Sequence, residues 1–163
     1  MFAALICIGT LIIRIPTVTG GFVNMGDAVI LFGAYLLGPL YGAAAAGIGS
    51  ALADIFSGYV SFALGTFFIK ALVAVISVII FKALKGRKWA CIPAGIAAEL
   101  FMCAGYTFYE AIFLGIGKGA FSGLPANLAQ GLFGVVVSCL LVGIFGKNKQ
   151  FANLLETKKG NDK

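Results

Sequence analysis

Residues 65–81, GTFFIKALVAVISVIIF, form an almost uninterrupted apolar run that contains a single lysine, Lys70. A helix needs about 20 mostly apolar residues to cross the hydrocarbon core of a bilayer. Such runs recur along the chain, so 61% of its 163 residues are hydrophobic and only 11% are charged. Soluble domains are roughly 25% charged. The sequence therefore predicts an integral membrane protein.

Polar and Gly/Pro-rich interruptions divide the chain into six candidate spans, which predicts an all-α bundle of six transmembrane helices. The spans cover roughly residues 1–13, 26–38, 40–56, 62–82, 89–108 and 125–146. They form a predicted transmembrane domain over 1–146, followed by a polar cytoplasmic tail over 147–163. The first run is shorter than a full span and lacks a cleavable signal pattern, which leaves open a first helix that begins before Met1.

The distribution of lysine and arginine predicts the orientation. Nine of the twelve basic residues follow the fourth or the sixth span, whereas only Arg14 and Lys118 lie in odd-numbered connections. Cytoplasmic segments are enriched in these residues. The chain is therefore expected to be a multi-pass membrane protein with a cytoplasmic C-terminus. Its net charge of +6 then reflects topology and not nucleic-acid binding.

The third span, GPLYGAAAAGIGSALADIF, carries small residues at intervals of four. Such ridges let helices approach closely in lipid, either within the chain or against another membrane subunit. The four cysteines lie in apolar runs without metal-ligand spacing, and the chain has no histidine. Neither a metal site nor a cofactor nor a disulfide framework is predicted.

Polar side chains in the fourth and fifth spans predict a pocket. Lys70 lies roughly 12 Å below the outer boundary at 1.5 Å per residue, with Thr66 on the same helical face. Glu99 lies near the middle of the fifth span, and Tyr106 and Glu110 follow on its face. An ionisable group inside a span normally faces a partner or a cavity. Lys70 could therefore pair with Glu99 or Glu110, or these groups could line a ligand pocket.

The sixth span enters through SGLPANLAQGLFG, which places Asn127 and Gln130 in its outer third. These amides could bind a ligand or join helices by hydrogen bonds. Asp27 and Asp54 stand at helix ends, where Asp27 is well placed as an N-terminal cap. The first external loop, RIPTVTGGFVNMGDA, combines a Gly-Gly pair, apolar residues and Asn24. This composition favours a lid over the pocket or a loop packed on the bundle rim.

These stretches resemble a known family. The segment IPTVTGGFVNMGDAVILFGAYLLGPLYGAAAAGIGSALADIFSGY, the lysine-bearing fourth span and PANLAQG are similar to substrate-binding S components of energy-coupling factor (ECF) vitamin transporters. The likeness covers nearly the entire chain and is to the riboflavin-type, hydroxymethylpyrimidine or pyridoxine branch. The loop-to-third-span stretch is the most specific part.

The resemblance implies a six-helix bundle in a bacterial cell membrane. It captures a vitamin from outside and docks on a transmembrane T component driven by two cytoplasmic ATPases. Substrate release is proposed for the family to follow toppling of the S component. The substrate-binding candidates are Asn24, Lys70, Glu99, Tyr106, Glu110, Asn127 and Gln130. Small residues of the first helix dock on the T component in the family, and only Ala3 and Ala4 remain of that pattern here.

Three classes of function are compatible with a small membrane protein of this composition. A non-catalytic vitamin-binding subunit agrees with the absence of a GxxxxGK[ST] phosphate loop, because energy must then come from partner ATPases. A self-sufficient carrier or channel would favour an internal repeat, and an intramembrane enzyme needs a nucleophile–base pair or metal set. The sequence shows none of these. Pyridoxine or hydroxymethylpyrimidine is favoured as the ligand, with riboflavin next, and Tyr106 could stack on the ring.

Overall fold

The computed structural model describes residues 1–145, and the predicted tail over 147–163 lies outside this part. Six α-helices form within it, which confirms the helices predicted from the apolar runs. They are α1 (Phe2–Ile12), α2 (Gly26–Leu37), α3 (Pro39–Phe56), α4 (Val60–Ala83), α5 (Cys91–Ile112) and α6 (Leu124–Phe145). Short 3-10 turns at Lys88–Ala90 and Gly117–Gly123 lead into α5 and α6.

Four of these helical segments are long and apolar enough to cross a membrane: Pro39–Phe56, Val60–Ala83, Lys88–Ile112 and Gly117–Phe145. By contrast, α1 and α2 have 11 and 12 residues. At 1.5 Å per residue they reach about 17 Å and 18 Å, well short of a hydrocarbon core of about 30 Å. The described chain is thus a multi-pass membrane protein, while the six-span count and the orientation stay predictions.

The bundle is closed by neighbouring pairs of helices. Going around it, α1 packs on α3, α3 on α4, α4 on α5, α5 on α6, and α6 on α2, which returns to α1. Because α2 also contacts α3 and α4, it crosses the interior and brings its first turn to the centre. The outward face of α4 carries Leu64, Phe68 and Leu72, all exposed at spacings of four. An apolar surface of this kind suits contact with lipid.

The first loop folds as a short hairpin. Strands β1 (Arg14–Pro16) and β2 (Phe22–Asn24) pair antiparallel, with Ile15 opposite Val23. The turn between them closes through a 2.9 Å bond from the Thr17 amide to the Gly21 carbonyl. Gly20 takes a positive φ of 83°, a conformation that glycine adopts at little steric cost. The external loop, for which the sequence favours a lid or a loop packed on the rim, is therefore a β-hairpin.

The small residues of α3 are used inside the chain. A Cβ added at Gly42 would come within 2.9 Å of the Ala34 backbone in α2, and one at Gly47 within 2.9 Å of the Phe67 carbonyl in α4. One at Gly49 would come within 2.5 Å of the Ala3 carbonyl in α1. Of the two interpretations of this ridge, packing within the bundle accounts for these three glycines.

We expect Gly49→Ala to lower the free energy of unfolding by about 1–3 kcal/mol, because the new methyl group must push α1 away from α3. Gly143→Ala is the matched control, since nothing lies within 4 Å of a Cβ at that helical position. Unfolding of both variants in mild detergent, followed by circular dichroism against a denaturing detergent, measures the difference. Equal stability of the two variants would contradict this account of the α1–α3 contact.

Candidate functional site

A small polar cavity lies beneath the hairpin, at one end of the bundle. Its enclosed volume is about 30 Å³, and its walls come from α1, the hairpin, α3, α4, α5 and α6. Six of the seven predicted substrate-binding residues line it: Asn24, Lys70, Tyr106, Glu110, Asn127 and Gln130. The fold thus brings together side chains that are separated by as many as 106 positions in the sequence.

Lys70 is held by Asp27 and not by either of the glutamates proposed from the sequence. Its Nζ donates to Asp27 Oδ1 at 2.5 Å and lies 2.9 Å from Met102 Sδ. Both members of the ion pair are almost completely buried. The pairing arises because α2 crosses the bundle interior, a feature that sequence periodicity does not reveal. The alternative in which Lys70 pairs with Glu99 or Glu110 is therefore wrong.

Asp27 also does not cap α2. The N-cap position is Met25, no side-chain cap bond forms there, and Asp27 is the second residue of the helix with 1% of its surface exposed. Its second oxygen, Oδ2, accepts a 2.5 Å bond from Gln130 Nε2. Asp27 is therefore the central acceptor of a network that joins α2, α4 and α6. It has this function instead of the capping function expected from its position.

The hairpin is bonded to the helix bundle at two points. The amide of Asn24 donates to Gln130 Oε1 at 2.8 Å, while the Thr19 hydroxyl donates to Glu110 Oε1 at 3.2 Å. Phe22 belongs to strand β2 of the hairpin, and its ring lies 4.9 Å from that of Tyr59. Gln130 thus bonds to the lid and to Asp27 at once. The arrangement favours the lid interpretation over a loop that only packs on the rim.

Four buried oxygen atoms around the cavity lack a hydrogen-bond partner. They are Thr10 Oγ1, Ser50 Oγ, Asp54 Oδ2 and Glu110 Oε2, out of six such side-chain atoms within residues 1–145. Buried polar atoms are rarely left unpaired, because each loses its bonds to water without replacement. Their convergence on one cavity indicates a place where a bound molecule supplies the missing bonds.

Sequence reasoning missed three of these groups, Thr10, Ser50 and Asp54. Asp54 stands in the last turn of α3, as expected for a helix-end residue, yet it faces the cavity and is only 5% exposed. Ser50 precedes it by four positions, so both occupy one face of α3. That spacing was the available signal, but it was obscured by the ridge of glycine and alanine on the same helix.

Tyr106 lines the cavity, where its hydroxyl donates to Thr66 Oγ1 at 3.1 Å. The ring lies over Lys70, with Nζ 5.4 Å from its centroid, a distance suitable for a cation–π contact. Asn127 is 9% exposed and reaches the same space from α6. Ser77, on the face of Lys70, instead bonds to the Ala74 carbonyl of its own helix.

The remaining predicted site residues lie elsewhere. Glu99 does not line the polar cavity but lies in the wall of a separate, apolar one between α5 and α6, with both carboxyl oxygens buried. Of the two proposed docking residues, Ala4 is exposed on α1, while the Ala3 carbonyl packs close to Gly49 of α3. No described contact bears on docking by α1, which stays a prediction.

The polar cavity is acidic in character. The charges of Lys70 and Asp27 compensate each other, whereas Asp54 and Glu110 each contribute a carboxyl group with an unpaired oxygen. Carboxylates accept hydrogen bonds, and hydroxyls both donate and accept. The site is therefore suited to a molecule rich in donors, either uncharged or cationic.

Comparison with known proteins identifies the family. The family described as the ECF-type riboflavin transporter, S component, matches residues 1–147. This chain belongs to that family, as the resemblance of its motifs indicated. An uncharacterized protein in the gap 3'region of Pyrococcus woesei is 46% identical over 72 residues, which cover 44% of this chain. The match spans about half (48%) of that relative's length.

Proposed function

We propose that this subunit captures a single-ring, hydroxymethyl-bearing vitamin of the pyridoxine or hydroxymethylpyrimidine type from outside the cell. The observation that carries the proposal is the convergence of four unpaired buried oxygens on one small cavity. Hydroxymethyl groups and ring nitrogens of such a vitamin would donate to Asp54 and Glu110 and exchange bonds with Thr10 and Ser50. The enclosed volume of about 30 Å³ is roughly that of one water molecule, so either ligand requires the hairpin to move, and a single ring requires the smaller movement.

The bonds already made by the Lys70 ammonium group favour an uncharged or cationic ligand over an anionic one. Its ammonium group is already bonded to Asp27 and Met102, so it offers little to a carboxylate or a phosphate. Its function in the site would then be indirect: Lys70 fixes Asp27, which fixes Gln130, which holds the hairpin. Of the two functions considered for Lys70, we therefore favour a structural one within the wall of the pocket.

Riboflavin is the second candidate, because the family description names it. The ribityl chain carries hydroxyls that could reach the unpaired oxygens. Its ring system would require the hairpin to move outward, breaking the bonds from Asn24 to Gln130 and from Thr19 to Glu110. The two candidates thus differ in how far the hairpin must move to admit the ring system.

In this proposal the subunit performs no catalysis. It delivers its ligand through a transmembrane T component and two cytoplasmic ATPases, in keeping with the family to which it belongs. The absence of a Walker-type phosphate loop from the sequence supports dependence on such partners. A self-sufficient carrier would transport the vitamin when this chain is reconstituted alone in liposomes, whereas we expect uptake only with the partners and ATP.

Calorimetric titration of the purified chain with pyridoxine, hydroxymethylpyrimidine, riboflavin and thiamine tests the ligand. We expect tight one-to-one binding of one single-ring vitamin, and at least tenfold weaker binding of pyridoxine 5'-phosphate, because the phosphate would face two carboxyl groups. Binding of riboflavin alone would select the second candidate. If the phosphate ester bound as tightly as the alcohol, the donor-rich site would not describe this cavity.

A further inference from the structure

A strongly basic segment joins α4 to α5 at the end of the bundle opposite the polar cavity. Residues 82–89, KALKGRKW, carry four of the twelve basic residues of the chain and its single tryptophan. All four cations are exposed: Lys82, Lys85, Arg87 and Lys88. We call this segment the basic turn. The vitamin site proposed above uses none of its charges.

The backbone of the basic turn is held by hydrogen bonds at both ends. The amide of Gly86 donates to the Phe81 carbonyl at 2.9 Å, and the amide of Ala90 donates to the Arg87 carbonyl at 2.8 Å. Lys85 takes a positive φ of 62°, in the left-handed region that few residues other than glycine and asparagine adopt. A cation thus stands at a position that glycine would occupy at lower steric cost.

The charges of the basic turn are not compensated by acidic groups of the described chain. No acidic residue stands between Asp54 and Glu99 in the sequence, and both of these are buried. Within residues 1–145, Lys85, Arg87 and Lys88 have no carboxylate at ion-pair distance. Because these three cations lie within four consecutive residues, they repel one another, and a bound anion would relieve that repulsion.

Exposed apolar side chains flank the basic turn on the membrane side. The segments that it joins, Val60–Ala83 and Lys88–Ile112, are long and apolar enough to cross a membrane. Ile79 near the end of α4, Trp89 and Ile92 at the start of α5 are 57%, 51% and 50% exposed. Tryptophan is enriched at the level of the lipid headgroups. The cations therefore lie at headgroup level, next to side chains that suit acyl chains.

We propose that the basic turn is a docking site for an anionic phospholipid, whose phosphate group is held by Arg87, Lys85 and Lys88. A guanidinium group forms paired hydrogen bonds with phosphate oxygens, and basic clusters beside a membrane span attract anionic lipids. The acyl chains lie along Trp89 and Ile92, to which a soluble phosphate ion offers no contact. This lipid site is at the other end of the bundle from the vitamin site and is independent of the ligand bound there.

Tryptophan fluorescence tests the site from within, because Trp89 is the only tryptophan of the chain. The purified chain is reconstituted in phosphatidylcholine vesicles that contain a small fraction of nitroxide-labelled lipid, with the nitroxide near the headgroup end of one acyl chain. The labelled lipid is either phosphatidylglycerol or phosphatidylcholine. We expect about fivefold or more quenching by the phosphatidylglycerol probe relative to the other, because three cations attract its phosphate. The ratio should fall towards one in about 1 M salt, where charges are screened beyond about 3 Å.

Two sets of substitutions locate the effect. Lys85→Gln, Arg87→Gln and Lys88→Gln combined keep polar, exposed side chains and the reporter, and should bring quenching by the two probes to the same level. Arg14→Gln with Lys118→Gln is the matched control, since it removes two exposed cations from other connections and should leave the preference intact. Circular dichroism of each variant checks that the helices are retained.

A competition experiment distinguishes a lipid from a small anion. Inorganic phosphate should reduce the quenching of the wild-type chain no more than sodium chloride does at equal ionic strength. Abolition of the preference by phosphate alone would indicate a site for a soluble anion and overturn the proposal. Equal quenching of the wild-type chain by both labelled lipids, a comparison that requires no variant to fold, would also overturn it. So would a preference that the triple variant retains.

Discussion

Replacing Lys70 with methionine is expected to destabilise the bundle by about 3–5 kcal/mol, because Asp27 would remain as a buried charge without its counterion. The Lys70→Met side chain would fill much of the same volume, so the loss measures the ion pair and not a cavity. Unfolding in mixed detergent micelles, followed by circular dichroism, gives the free energy. Lys118→Met, at an exposed position, is the control for removing a positive charge.

A double substitution sharpens this test. Lys70→Met combined with Asp27→Leu should be more stable than Lys70→Met alone, because no unpaired charge then remains in the interior. Vitamin binding should nevertheless stay weak in the double variant, since Gln130 loses the acceptor that orients it. A Lys70→Met chain as stable as the Lys118→Met control would show that the ion pair contributes nothing to the fold.

Asp54→Asn is expected to weaken binding of the vitamin about ten- to a hundredfold while leaving the stability of the empty protein unchanged or slightly higher. Hydrogen bonds to a charged group contribute about 1.5–3 kcal/mol, and 1.4 kcal/mol corresponds to a factor of ten in affinity. Stability should not fall, because Asp54 Oδ2 has no partner to lose within the described chain. The opposite signs of the two effects distinguish a ligand contact from a structural one.

Titration calorimetry of Asp54→Asn with the vitamin that binds the wild-type chain measures the first effect, and thermal unfolding of the empty protein measures the second. Thr107→Ala is the matched control on α5, because its hydroxyl bonds to the Cys103 carbonyl and does not face the cavity. If Asp54→Asn lowered stability and left affinity intact, Asp54 would be a structural helix-end residue, as its position in the sequence first suggested.

The pocket itself was predictable to a large extent. Lys70, Tyr106, Glu110, Asn127 and Gln130 stand on helical faces whose periodicity can be read directly from the sequence, and the structure brings all of them to one cavity. Helical periodicity fixes which face of a helix a residue occupies, and apolar surroundings mark a polar residue as unusual. These two signals are local, so they can be read from the sequence without any knowledge of the fold.

The partners of these residues were not predictable in the same way. Lys70 and Asp27 are 43 positions apart, and nothing in either local sequence indicates that α2 crosses the bundle to bring them together. Glu99 shares a helical face with Tyr106, yet it lies in a different cavity, because successive turns of α5 face different neighbours. Polar contacts between helices depend on the packing of the bundle, which only long-range contacts determine.

The sequence by itself determined that this is a helical membrane protein, the positions of its helices and its membership of a transporter family, because apolar runs and a contiguous motif express these properties locally. Only the tertiary structure decided that Asp27 is the counterion of Lys70 and that the first loop is a hairpin fastened over the cavity. It also brought Thr10, Ser50 and Asp54 to the site. Those features arise where helices distant in sequence meet, and the geometry of that meeting is set by side-chain packing in three dimensions.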